Sequence, residues 1–444
     1  MPQVEYPYQL KHSFRDPIHG FIRVSDEERR LIDSRPVQRL RRIHQLGTGY
    51  LVYHGAEHSR FGHSLGTMHL AGRAFEEIHN KQPRVLGTGR KGISRNWQIM
   101  RIAGLLHDLG HTPFSHAAEE LLPKKPDGGG HLGHEDFSAA ILRSELADVI
   151  EEEFRRFSIT ADDIDAVFGS DLVRLGPPAR IMHQLLSGEV DVDRMDYLLR
   201  DSLYTGVAYG HFDVDRLVEC ITAQRIGGQR TLAFERGGLG ALEGFIYARY
   251  FMYTQVYLHD VRCFYDIMLR EALTELLEGA GFNGRYPNPA DVGAFLKMDD
   301  VWAIAGLTEL AEAGAVAAKC IVERRNWRTV AGTTAHPTSS ELQAWYAARQ
   351  DIEKEFEKDS FRFDAPTTKA FQATEPRPYQ RQTEDEGSPV VIVDETGSGV
   401  ARYIEQESTL VNKISQETVT YMRLYARPDV EGRIRELWER LTNE

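Results

Sequence analysis

The apolar pattern of this chain predicts a mainly α-helical fold with a small α+β lobe at its C-terminal end. Two observations carry that prediction. From residue 26 to about 308, apolar side chains recur with the helical period. Beyond residue 326 the pattern is mixed, with β-like runs at 390–393 and 419–425 and a helical run at 430–441. The expected organisation is an extended segment or hairpin over 1–25, a helical core over 26–325 and a mixed lobe over 326–444.

The elements follow in order. Residues 13–25 (SFRDPIHGFIRVS) place Pro17 and Gly20 between apolar runs, which predicts a hairpin. Residues 27–46 carry Leu31, Ile32, Val37, Leu40 and Ile43 at helical spacing. Residues 64–79 and 97–107 are also helical, the second with Ile99, Ile102, Leu105 and Leu106 on one broad face. Gly110 is expected to end that helix with a backbone that glycine adopts easily. Residues 122–133 (LPKKPDGGGHLG) form a loop, because a glycine triplet holds no fixed helix cheaply. It directly precedes His134, where movement would gate a site. A plain surface connection is the commoner role for such a loop. Helices are expected again over 136–157, 178–203 and 238–279. The last includes Tyr247, Tyr250, Tyr253, Tyr257 and Tyr265, a stripe that more often serves a core or a subunit interface than a ligand. Residues 326–376 are polar and mixed, and 383–389 (TEDEGSP) read as a charged turn.

Composition narrows the function classes. With 444 residues, 41% of them hydrophobic, the chain can bury a large core. Its net charge of −13 argues against nonspecific wrapping of DNA or RNA, which depends on clustered Lys and Arg. A small anionic substrate is compatible, since a metal and a few arginines reverse the sign inside a cleft. Cys220, Cys263 and Cys320 are far apart and form no CxxC, so neither a disulfide framework nor a zinc-thiolate site is expected. No signal peptide and no bilayer-spanning apolar run are read from the sequence. A cytoplasmic location is the expectation.

Three stretches hold the ligand types of a transition-metal site. They are Arg60-Phe61-Gly62-His63-Ser64, His107-Asp108-Leu109-Gly110-His111 and Asp191-Val192-Asp193-Arg194-Met195-Asp196-Tyr197. His63, His107, Asp108 and Asp193 can close round one ion and leave positions for water and a phosphate. A lone His-Asp pair is common, and His63 alone would pass as a satisfied core histidine. The combination in this order is far less frequent by chance. Such a His/His/Asp/Asp set suits Mn, Fe, Zn or Ni, with additional Mg on a phosphate substrate.

These residues resemble the HD-domain phosphohydrolases, and more narrowly the deoxynucleoside triphosphate triphosphohydrolases. The likeness starts at Asp16-Pro17-Ile18-His19-Gly20, passes through Arg39-Leu40-Arg41 and Gln45-Leu46-Gly47, and continues from Arg60 to Gly66. It resumes over Leu106 to His116 and over Asp191 to Asp201. It covers roughly the first three-fifths of the chain. No sterile-alpha-motif domain, which one branch of the family carries, is expected ahead of Asp16.

The resemblance implies an HD-domain helical core and a catalytic group made of His134, His111 and Glu119, the last standing where the family has Asp. It implies that Arg60, Arg249 and Arg194 hold phosphates, with His116 near the α-phosphate. It also implies that Gln45, Leu46, Tyr197 and Asp201 line the sugar, and that Tyr253 and Tyr257 lie toward the base. Tyr253 and Leu258 stand where a relative has His and Gln, so the base pocket is expected to differ. Asp16 and Arg41, with Arg39 beside them, match residues that read a nucleotide activator between subunits; a salt bridge or turn cap accounts for them equally well. Assembly into a dimer or tetramer is implied too. Two rival expectations remain: a phosphodiesterase or nuclease on cyclic, oligomeric or single-stranded nucleotides, and a nucleotide-sensing scaffold with little turnover.

Overall fold

The computed structural model describes residues 8–125, 129–169, 171–368, 389–394 and 401–442. Strands β1 (His12–Asp16) and β2 (Gly20–Val24) pair antiparallel, with Asp16 opposite Gly20. Asp16 closes their turn: its Oδ1 accepts from the amides of Ile18 at 2.9 Å and His19 at 3.0 Å. The helix expected over 27–46 is divided. α1 (Asp26–Ile32) is held by a Ser25–Glu28 capping box. α2 (Arg35–Arg39) carries Pro36 in its first turn, where it has no amide to continue a preceding helix, and gives way to a tight turn.

The next helices build the core. They are α3 (Arg60–Lys81), α4 (Gly89–Leu106), α5 (His134–Ile141), α6 (Ala147–Glu153), α7 (Ala161–Phe168), α8 (Ala179–Ser187), α9 (Val192–Thr205) and α10 (Val214–Glu219). A hairpin then interrupts the run read as helical: β3 (Ile221–Ile226) and β4 (Gln229–Glu235). Gly227 and Gly228 turn it at φ of +56° and +84°, values open to glycine at little steric cost. α11 (Leu239–Met252) and α12 (Asp260–Gly279) are separated by a π-helical turn at Tyr253–Tyr257. α13 (Val292–Phe295), α14 (Asp300–Ala313) and α15 (Val316–Val322) complete this part.

The C-terminal region is mixed α and β. β5 (Arg328–Gly332), α16 (Ser339–Glu355), β6 (Phe361–Asp364) and β7 (Thr367–Thr368) come first. β8 (Val391–Val393), β9 (Arg402–Tyr403), α17 (Ile404–Glu407), α18 (Thr409–Gln416), β10 (Val419–Thr420), β11 (Arg423–Ala426) and α19 (Glu431–Thr442) follow. β11 pairs with β5 and β6, and Trp345, Ile352, Ile434 and Leu437 bury one cluster against them. β8 instead pairs parallel with β4, so Val390, Ile392, Ile404 and Val411 join the main core. The expected turn at 383–389 lies outside the described residues, apart from Pro389.

Two glycines are explained by close approach. Gly110 does not adopt a left-handed backbone and does not end α4, which stops at Leu106 with His107 as its cap. A Cβ there would lie 2.0 Å from the His134 carbonyl oxygen and 2.5 Å from the Ser138 amide, so its smallness lets α5 seat on the turn. A Cβ on Gly66 of α3 would lie 1.8 Å from Asp196 Oδ1 and 2.7 Å from Arg200 Nη2 of α9. Gly66→Ala is therefore expected to destabilise the fold by about 2 kcal/mol or more, read as a lower midpoint in urea denaturation. An unchanged midpoint would refute that packing.

Candidate metal centre and histidine cluster

α3, the end of α4 and the first turn of α9 bring His63, His107, Asp108 and Asp193 together. Asp193 Oδ1 lies 2.9 Å from His63 Nε2 and 3.5 Å from His107 Nε2. Asp108 Oδ2 is 3.5 Å from His63 Nε2, and its Oδ1 is 3.2 Å from His107 Nε2. His63, His107 and Asp108 each offer an atom within 4.8 Å of the others, while Asp193 approaches from the more open side, 29% exposed.

The ring nitrogens that face away are fixed. His63 Nδ1 is 2.8 Å from Asp196 Oδ2, and His107 Nδ1 is 3.0 Å from the Gly104 carbonyl oxygen. Each bond favours a proton on Nδ1 and turns the Nε2 lone pair toward the carboxylates. Both Nε2 atoms are buried without a hydrogen-bond partner, which is rare for polar atoms inside a protein. Two imidazole nitrogens and two carboxylates are a donor set for a divalent transition metal, so the residues present fit one.

Charge is balanced around this group. Burial alone would raise the Asp108 carboxyl, but the Arg60 guanidinium, His107 and His111 hold it well below the usual carboxylate range. Arg60 bonds Asp108 through Nη1 and the Ser115 hydroxyl through Nε at 2.8 Å. Behind His63, Asp196 is fully buried and accepts from His19 Nε2 at 2.7 Å and from Arg200 Nε and Nη2 at 2.8 and 2.9 Å. Arg200 Nη1 also reaches Asp16 Oδ2 at 2.9 Å. These partners keep the Asp196 carboxyl ionised against its burial. Burial likewise opposes the charged form of His63, yet the neighbouring carboxylates of Asp193 and Asp196 raise its pKa to about 10.

The second group stands beside the first. His134 is the first residue of α5, and its Nδ1 donates to Glu119 Oε1 at 2.7 Å. Ser138 positions α5: its hydroxyl donates to the His107 carbonyl oxygen at 2.7 Å and accepts from the Gly110 amide at 2.9 Å. His111 stacks on His134 at 4.0 Å between ring centroids, and His111 Nε2 is 3.2 Å from Asp108 Oδ1. Burial opposes charge on His134, but Glu119 prevails and raises its pKa to about 9. Burial, with Arg60 and His134 nearby, pushes His111 well down, so it is neutral. Phe114 and Ser115 lead into this cluster at φ of +60° and +58°, a strained pair of non-glycine residues beside the site. Asp300 at the start of α14 holds them, accepting from the Phe114 amide at 2.8 Å.

The expected substrate residues fall into two sets. A file of rings leads away from His63: Tyr197 at 6.4 Å, Tyr257 at 6.2 Å from Tyr197, and Tyr253 at 5.1 Å from Tyr257. The Tyr257 hydroxyl donates to Asp201 Oδ2 at 2.8 Å, and His58 Nε2 is 2.8 Å from Asp201 Oδ1. Gln45 and Leu46 are buried, and Gln45 Oε1 has no hydrogen-bond partner. The arginines, by contrast, are engaged. Arg249 Nη1 pairs with Glu189 at 2.9 Å, and Arg194 folds onto Asp191 and the Gly188 carbonyl.

The three residues expected at an activator site part company. Arg39 is 1% exposed, and its Nε and Nη2 donate to the Met298 carbonyl oxygen at 2.9 and 2.6 Å. Asp16 is spent on the β1–β2 turn and Arg200. The turn-capping and salt-bridge roles are the ones seen for Asp16, and Arg39 is bonded to backbone. Arg41 is exposed, with its guanidinium 3.5 Å above the Phe61 ring. His19, His58, Ser138, Asp196 and Arg200 were not singled out from the sequence. Only Asp196, three residues after Asp193 and four before Arg200 on one helix, carried a spacing that points to it.

Comparison with known proteins bears on this geometry. Residues 60–201 match the family model described as HD domain, and residues 212–441, over half of the chain, match that described as HD associated region. The chain belongs to the HD-domain family. A crystal structure of a hypothetical protein from Aquifex aeolicus superposes with a TM-score of 0.74 at 29% identity, covering 96% of this chain and 99% of that one. The uncharacterised protein YwfO of Bacillus subtilis is 37% identical over 59% of this chain and 54% of its own length. The deoxynucleoside triphosphate triphosphohydrolase SAMHD1 homolog of Dictyostelium discoideum is 33% identical over 64% of this chain and 52% of its own. This HD-domain chain thus spans about half the length of the curated relatives it matches. No helix among the described residues is long and apolar enough to cross a membrane.

The Asp196 carboxylate orients His63 without facing the metal position. Asp196→Asn is expected to weaken metal binding about 10–100-fold while the protein stays folded, as measured by competition with a chelator. Undiminished affinity would remove Asp196 from that role.

Proposed function

We propose that this HD-domain protein hydrolyses deoxynucleoside triphosphates to deoxynucleoside and triphosphate, with a divalent metal. The observation that carries the reading is the placing of His63, His107, Asp108 and Asp193 directly beside the His134–Glu119 pair. The relative named as a deoxynucleoside triphosphate triphosphohydrolase adds support.

His63, His107, Asp108 and Asp193 would hold a Mn, Fe, Zn or Ni ion, which when bound polarises a phosphate and makes water more acidic. His134 does the proton work. Glu119 holds its Nδ1, leaving Nε2–H to give a proton to the 5′ oxygen as the bond from that oxygen to the α-phosphorus breaks. The water oxygen forms the new bond to phosphorus, and triphosphate leaves. His111, neutral and stacked on His134, holds that ring in plane without adding charge. His116 lies on the same cluster, toward the α-phosphate. Tyr197, Tyr257 and Asp201 form a wall for the sugar, where a ring against C2′ disfavours a ribose hydroxyl. Arg60, Arg194 and Arg249 face the phosphates, the last two exchanging their Asp191 and Glu189 partners for phosphate oxygens.

Incubation with each dNTP, each rNTP and a short labelled oligonucleotide, with Mn or Mg, tests this. Triphosphate is the expected product, from dNTPs. Pyrophosphate or inorganic phosphate alone would overturn attack at the α-phosphorus. Oligonucleotide cleavage without dNTP turnover would assign a phosphodiesterase instead.

A pH profile tests His134. Its pKa is raised to about 9, so the proton-donating form is full at neutral pH and is lost as pH rises through that value. Glu119→Gln removes the carboxylate that raises it, and the alkaline limb of kcat is expected to move down by about one pH unit or more. An unmoved limb would exclude His134 as the acid.

A further inference from the structure

α11 runs into the π-helical turn that ends at Tyr257, and a helix leaves its last four carbonyl oxygens without amide partners of its own. Here each is taken up. The Tyr421 hydroxyl donates to the Thr254 carbonyl oxygen at 3.3 Å, the Tyr53 hydroxyl to that of Gln255 at 2.8 Å and the His259 amide to that of Val256 at 3.3 Å. Arg262 Nη1 donates to the Tyr257 carbonyl oxygen, and Arg423 Nη2 to that of Leu258, the cap. At the start of α12 the Tyr425 hydroxyl reaches the Asp260 carbonyl oxygen at 2.9 Å.

Tyr421, Arg423 and Tyr425 belong to one stretch of the C-terminal region. They alternate in sequence, so they share one side of it. Met422, Leu424 and Ala426, on the other side, pack into the cluster that holds Trp345 and Ile434. Arg423 shows most clearly that the first side is directed at the turn. Asp364 stands directly opposite it on β6, yet Arg423 Nη2 goes to the Leu258 carbonyl oxygen rather than to that carboxylate, whose buried Oδ2 has no hydrogen-bond partner. The Arg423 guanidinium also lies 4.5 Å from the centre of the Tyr421 ring, so the two donors brace each other.

The turn they hold carries Tyr253 and Tyr257, whose rings are 5.1 Å apart, and the Tyr257 hydroxyl donates to Asp201. π-helical turns are uncommon and recur at functional sites. We propose that Tyr421 and Arg423 are positioning residues through which the C-terminal region sets selectivity for the sugar. They fix the backbone that carries Tyr257, and with it the Tyr257–Asp201 wall. A wall held in place disfavours a 2′ hydroxyl, and a wall free to recede admits one. This inference rests on the dNTP reading of the site.

The test compares each dNTP with the matching rNTP in the unaltered protein, in Tyr421→Phe/Arg423→Gln and in Arg423→Lys. The double variant is expected to raise KM for dNTPs about tenfold with kcat within about threefold, and to lower the dNTP-over-rNTP ratio of kcat/KM about tenfold. Arg423→Lys keeps a donor and is expected to keep most of that ratio. Should the double variant fold poorly, Tyr421→Phe alone, which removes only a hydroxyl, is read in the same way, with a drop of about threefold. An unmoved ratio in a variant that still turns over dNTPs would overturn the proposal. No triphosphate from the unaltered protein would instead sink the reading on which it rests. Hydrogen exchange judges the grip without nucleotide: amides at 254–258 are expected to exchange faster in the double variant while α3 and α9 stay protected. Unchanged exchange there would refute it.

Discussion

The buried Asp196 carboxylate is the constraint on which the rest of the site depends. It sits between α3 and α9 with no exposure, and four side-chain nitrogens donate to its two oxygens. Taking an ionised carboxylate out of water costs several kcal/mol, recovered only when it is fully paired. Asp196 is paired by Arg200 on its own helix, by His19 from the N-terminal hairpin and by His63 from α3. Three distant segments are thus locked to one anion. The result is less a gain in stability than a fixed geometry, since a buried ion network tolerates few other arrangements.

Small residues make that closeness reachable. Gly62 and Gly66 lie four apart, hence on one face of α3, and α9 presses Asp196 and Arg200 into the gap. His63 stands between them in sequence and is carried to the same interface. Gly110 does the same for α5, bringing the backbone of His134 against the turn that follows His107. Ser138 then ties the two backbones. The metal-facing group and the His134–Glu119 pair are held by neighbouring contacts of one framework, so a shift in either is felt by the other.

Much of this was legible beforehand. The hairpin at Asp16 and Gly20, the long helices and the α+β end all show in periodicity and turn residues. His63, His107, Asp108, Asp193 and His134 stood out through motif order and family likeness. What stayed hidden depends on contacts far apart in sequence. The β3–β4 hairpin, between the helices expected over 178–203 and 238–279, was not picked out, because Ile221, Ala223 and Leu232 pack in a core whose burial blurs a two-residue period. Gly110 looked like a helix stop because a close approach leaves no local mark. The partners of Arg39 and Asp16 were hidden because a buried charge and a surface charge are the same letter. His58 and His19 had no signal of their own, since their partners Asp201 and Asp196 lie 143 and 177 residues away.

The parallel pairing of β8 with β4 ties chain ends to chain middle. β4 has β3 on one side, and among the described residues its other edge pairs with Val391–Val393. During synthesis that edge emerges long before its cover does. Without that cover, the edge beside Ala233 and Phe234 would present unpaired amides and carbonyls, the kind of surface that recruits strands from other chains. Three residues near the end of the polypeptide thus close a strand edge laid down at its middle.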